Sequence, residues 1–77
     1  MADLAEIIGK NIKARRKAKG WTQQQLGQAV LGVAHNGPVS LWESGKFSPG
    51  AFMLLQLSRA FGCTIDALFE GAEHADA

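Results

Sequence analysis

Cysteine, proline and tyrosine are nearly missing from this chain, which has one cysteine, two prolines and no tyrosine among 77 residues. A single thiol, Cys63, excludes an intrachain disulfide framework and a thiolate metal cluster, and it reads as a small apolar residue facing inward. The two histidines, His35 and His74, lie far apart in the sequence. No thiolate lies near His35, and neither histidine has a clear partner among the scattered acids, so no metal, no cofactor, no nucleophile–base–acid set and no enzyme is expected. No apolar run comes near the roughly 20 residues that span a bilayer. No basic segment followed by a long apolar one opens the chain, so a signal peptide is not expected either. These absences point to a reducing cytoplasm. Strand-like alternation and internal repeats are missing as well.

What remains is 47% hydrophobic and 19% charged, the balance of a folded globule rather than a disordered chain. The length suits one domain, 1–77, with a core about 4–70 and a small, polar tail, 71–77, that frays. An all-helical bundle with short connections is the arrangement so short a chain builds most readily. Net charge is only +1, but it is unevenly spread. Lys10, Lys13, Arg15, Arg16, Lys17 and Lys19 place six of the eight basic residues in one acid-free segment, while the tail is acidic. Such a cluster is either a solvated helix face or a surface for phosphate.

Five helices are expected. The first runs from Asp3 to Lys19, with Leu4, Ile8 and Ile12 as its apolar stripe and Gly20 as its stop. The second has the clearest start: Thr22 and Gln25 have the spacing of a capping box, and Trp21 and Leu26 that of a hydrophobic staple. Leu26, Ala29 and Val30 continue its apolar face to about Leu31. A turn over 32–37 follows. The third helix spans about Gly37 to Ser44, with Asn36 or Gly37 as N-cap, Pro38 in the first turn where its missing N–H is harmless, and Val39 and Trp42 turned inward. After a loop from Lys46 to Gly50, a fourth helix covers about Ala51 to Phe61 on the stripe Leu54, Leu57 and Phe61. Thr64 caps a short last helix with Asp66 in its first turn and Leu68 and Phe69 as packing residues.

Two short helices around a Gly-containing turn suggest a helix-turn-helix. The segments Thr22-Gln23-Gln24-Gln25-Leu26-Gly27 and Val39-Ser40-Leu41-Trp42-Glu43-Ser44-Gly45-Lys46, with Pro49, Leu54 to Leu57, Phe61 to Asp66 and Leu68 after them, resemble the phage repressor and Cro family. The resemblance covers about residues 8–70. It implies an all-α, five-helix lambda-repressor-like DNA-binding domain with the helix-turn-helix at helices 2 and 3, and the third helix in the major groove. It also implies a structural ion pair between Arg16 and Glu43, and contacts from Gln23 to the start of the recognition helix.

Matched on Val39 and Trp42, the residues facing base edges are Asn36, Gly37, Ser40 and Leu41. Asn36 suits adenine and Leu41 a thymine methyl. Thr22 and Gln23, at a helix N-terminus with unpaired N–H groups, suit a phosphate. His35, Ser44, Lys46 and Lys10 complete the expected phosphate contacts, which position without specifying. Phe52 and Met53, early in the fourth helix, are either core residues or a dimer or partner surface. The chain departs from the family pattern in three ways. Thr22 and Val39 lie two residues further apart than is usual, Gly37-Pro38 stands where long polar readers are common, and the recognition helix has no Arg or Lys. Direct readout is therefore thin, and phosphate contacts and DNA shape carry more weight.

The expected function is a sequence-specific regulator of transcription that binds double-stranded DNA, repressor-like, as a homodimer. Two alternatives keep the fold: an antitoxin or other protein-partner-binding module, which an exposed Phe52–Met53 patch outside a homodimer favours, and a restriction-system controller protein, which only genomic neighbours distinguish.

Overall fold

The computed structural model describes residues 3–72. It holds four α-helices, α1 (Leu4–Ala18), α2 (Gln23–Leu31), α3 (Gly37–Ser44) and α4 (Ala51–Phe61), followed by a 3-10 turn at Asp66–Phe69. Most of the tail expected to fray, with His74, lies outside the described residues.

Both early helices begin on reciprocal caps, which satisfy donors that a helix N-terminus leaves unpaired. At α1 the Asp3 carboxylate accepts the Glu6 N–H at 2.9 Å and the Glu6 carboxylate accepts the Asp3 N–H at 3.1 Å. At α2 the Thr22 hydroxyl accepts the Gln25 N–H at 3.1 Å and the Gln25 side chain accepts the Thr22 N–H at 2.7 Å. The apolar rows differ from the expected ones at two positions. Leu4 is largely exposed, and the buried row of α1 is Ile8, Gly9, Ile12 and Arg16. On α2, Ala29 is exposed, and Gly27 is buried between Leu26 and Val30.

Two glycines explain the shift, because they allow backbone to approach backbone. A Cβ on Gly9 would stand 2.1 Å from the Trp42 carbonyl oxygen, and one on Gly27 would stand 2.1 Å from that of His35. The first contact sets how α1 crosses α3. The second presses the turn before α3 against α2. Ile8, Ile12, Leu26, Val30, Val39, Trp42, Leu57, Phe61 and Leu68 form the core, so every element contributes to it. Trp21 and Phe61 pack with ring centroids 6.3 Å apart, and Cys63 is half-buried against the cluster.

The expected fifth helix is corrected: among the described residues the domain is all-α with four helices. Thr64 does cap the last segment, its hydroxyl accepting the Ala67 N–H at 3.2 Å. The backbone then closes on i→i+3 bonds, Leu68 N–H to Ile65 C=O at 2.9 Å, which is 3-10 geometry and rarely runs long. An α1 side chain holds it there. The Asn11 amide donates to the carbonyls of Leu68 at 2.8 Å and Glu70 at 3.0 Å, capturing acceptors that a continuing helix would need. Leu68, fully buried, plugs the base of the core.

Candidate nucleic-acid interface

The α2–turn–α3 unit is held by one buried cluster of polar groups. Arg16 extends from α1 and meets Glu43 of α3 through both ends of the carboxylate, Nε to Oε2 at 2.6 Å and Nη2 to Oε1 at 3.1 Å. Its Nη1 donates to the Trp21 carbonyl at 2.7 Å, just before α2. The two side chains are 10% and 4% exposed. A pair so withdrawn from water is favourable only when its remaining polar atoms are also hydrogen-bonded, and here no buried side-chain nitrogen or oxygen among the described residues lacks a partner. The last contribution is the Gln23 amide, which donates to Glu43 Oε1 at 3.1 Å. Three groups thereby fix the start of α2 against the end of α3. The resemblance implied that Gln23 supports the beginning of the third helix, whereas its hydrogen bond goes to Glu43, near the end.

The outward side of this unit is almost without charge. Between Thr22 and Lys46 the only acid is Glu43, which is paired, and the only other ionisable side chain is His35. Asn36 occupies the N-cap position of α3, yet its side chain makes no capping bond and is exposed. The cap comes instead from His35, whose Nδ1 accepts the Gly37 N–H at 2.9 Å. The imidazole lies so close that a Cβ on Gly37 would come within 2.7 Å of its Cε1. Gly37 therefore presents backbone alone. Ser40 and Leu41 are exposed on the outer face, opposite the buried Val39 and Trp42.

The ends of the two helices supply the groups that suit phosphate. Thr22 is exposed at the N-terminus of α2 with its hydroxyl committed to the cap. The first-turn N–H groups of that helix have no intrahelical acceptors. At the far end of α3, Ser44 closes the helix locally: its hydroxyl donates to the Leu41 carbonyl at 3.0 Å and accepts the Lys46 N–H at 3.4 Å. Lys46 is exposed beyond the left-handed Gly45. Lys10 stands on the exposed side of α1, and no described contact ties it to α2 or α3.

Phe52 and Met53 part company. Phe52 is 70% exposed, whereas Met53 is packed against the core. Two exposed apolar residues had not been singled out from the sequence: Phe47, 63% exposed in the α3–α4 loop, and Val33, exposed in the turn before α3. The only signal for either was an apolar residue inside a segment assigned to a turn or loop.

The fold and this unit define the class of protein. The chain belongs to the helix-turn-helix family of DNA-binding proteins, whose family model matches residues 12–68. It is similar to the "Competence pilus inhibition repressor" of Acinetobacter baylyi, 35% identical over 69 residues that cover 90% of this chain and 61% of that protein. It is also similar to "Repressor protein C2" of Salmonella phage P22, 39% identical over 66 residues that cover 86% of this chain and 30% of that protein. The chain thus spans less than two thirds of the length of either relative. Both are named as repressors, not as enzymes. No solved structure matches. Among the described residues no group of His, Cys, Asp and Glu could hold a metal ion, and no helix is long and apolar enough to cross a membrane.

Proposed function

We propose that the chain is a sequence-specific, repressor-like regulator of transcription that binds double-stranded DNA as a two-fold homodimer in the cytoplasm. The observation that carries this reading is the Arg16–Glu43–Gln23 cluster, which fixes the N-terminus of α2 and the exposed face of α3 in one rigid orientation. Pre-set geometry of this kind is what groove reading requires. The similarity to two proteins named as repressors supports the regulatory role.

In this reading α3 enters the major groove. The free amide of Asn36 meets an adenine edge, Leu41 meets a thymine methyl, and Ser40 and the bare backbone of Gly37 approach neighbouring bases. The N-terminus of α2 at Thr22–Gln23 binds one phosphate through N–H groups and helix dipole. Lys46 and the backbone after Ser44 bind another, His35 a third, and Lys10 adds positive field from α1. A homodimer doubles a contact area too small for tight binding and matches half-sites about one helical turn apart. Phe52 is the exposed apolar residue that such a dimer, or a protein partner, would cover.

Selection on random duplex DNA at two salt concentrations tests the proposal. A recovered palindrome is the expected result. Equal retention of all sequences with steep salt dependence would reject specific recognition. Asn36→Ala should relax preference at one base position, whereas Lys46→Ala should weaken binding to every sequence alike and flatten the salt dependence by about one unit of slope.

A further inference from the structure

We infer that His35 is a positioning residue for sequence reading, active only with a neutral imidazole, so that discrimination between sites falls as His35 gains a proton. The inference rests on the DNA-reading role of α3 proposed above and assigns the turn before it a proton-dependent part.

Three observations converge on this residue. The N-cap position of α3 is held by Asn36, which makes no side-chain cap, and the first helical N–H, that of Gly37, is taken by His35 Nδ1. The backbone of His35 is clamped on the other side, because its carbonyl abuts Gly27 closely enough to exclude any Cβ there. The residues immediately following, Asn36 and Gly37, are the proposed base readers. His35 therefore joins α2, through its backbone, to the first turn of the reading helix, through its imidazole.

An imidazole nitrogen that accepts a hydrogen bond carries no proton. The neutral ring must then hold its hydrogen on Nε2, which leaves an outward donor for a phosphate. A proton added to the ring goes to Nδ1, turns acceptor into donor, and sets two N–H groups against each other. The exposed ring then swings away and the start of α3 loses its cap. The charged ring is meanwhile a better partner for any phosphate, so affinity for arbitrary duplex does not fall with it. Specific and non-specific binding thus move in different directions.

The elements packed against His35 offer no compensating charge. Along α2, Gln23–Leu31, no residue is acidic or basic, and His35 is the only ionisable residue in the turn over 32–36. On α3 the single charged group is Glu43, bound to Arg16 and Gln23.

The experiment measures the ratio of affinity for the selected palindrome to affinity for a scrambled duplex, at about pH 8 and about pH 5.5, with circular dichroism confirming the fold at both. The wild-type ratio should fall about fivefold on acidification, the usual weight of a lost cap. His35→Asn is the informative variant, since an asparagine oxygen can accept the N–H two residues on and does not titrate. It should keep the ratio high and flat with pH, whereas His35→Ala should be low at both. A wild-type ratio independent of pH, an equal pH dependence in His35→Asn, or a wild-type ratio in His35→Ala at the higher pH would each overturn the inference. Nitrogen-15 shifts of the imidazole give a reading that needs no DNA: the neutral ring should carry its proton on Nε2, and a proton on Nδ1 would also overturn it. Failure to recover any palindrome would count against the proposed function, while this tautomer measurement would still decide the role of His35.

Discussion

Glu43 is the one acid between Thr22 and Lys46, and it faces inward with a side chain 4% exposed. That position makes it expensive to alter. Glu43→Gln keeps the shape and one acceptor but removes the charge, leaving the Arg16 guanidinium buried without a counter-charge. Losing one partner of such a pair costs about 3–5 kcal/mol. Urea unfolding should show a loss of that size, against a change within about 0.5 kcal/mol for Lys46→Ala, which is exposed. Comparable losses in the two variants would show that the pair contributes no more than a surface contact. The same scale shows what could be read from residues alone. Arg16 and Glu43 are 27 positions apart, and only the family resemblance brought them together before the fold did. The His35–Gly37 bond is local, yet it went unread because histidine is not a usual capping residue and Asn36 offered the usual one.

The helices α1 to α4 could be delimited nearly to the residue, because Asp3, Gly20, Thr22, Gly32, Gly45 and Gly62 mark their ends chemically. The last element could not. Thr64 and Asp66 announce a helical turn, but they announce a 3-10 turn equally well, and the group that decides between them is Asn11, at the opposite end of the chain. Its amide gives both hydrogens to carbonyls of the final segment. No local pattern encodes a contact across 57 positions. Gly27 and Ala29 show a second limit. Periodicity ranks alanine as the apolar residue, while a backbone crossing selects the glycine. Asn11 also makes a prediction for its element. Asn11→Ala leaves two carbonyls short of a donor and should destabilise the domain by about 1–3 kcal/mol. Amide exchange at Leu68 and Glu70 should accelerate more than exchange along α2 and α3. Uniform acceleration would mean that the turn has no separate stability and that Asn11 acts on the whole core.

For the molecule as a whole, the open matter is what Phe52 does. A phenylalanine 70% exposed in a domain this small gains nothing from the monomer's own core, and Met53 beside it already packs there. Phe52→Ser should therefore leave monomer stability within about 0.5 kcal/mol, since a surface change away from caps and buried groups seldom does more. The loss should fall on association instead. On the proposed two-fold dimer, with both α3 helices engaged on a palindrome, weakening the dimer should lower affinity for the full site and leave affinity for an isolated half-site unchanged. Sedimentation of the free protein and titration of full-site and half-site duplexes separate the two effects. A variant that dimerises and fills the full site like the wild type would remove Phe52 from the interface and leave it for a different protein partner. A variant that loses half-site binding as well would place Phe52 in the DNA contact itself.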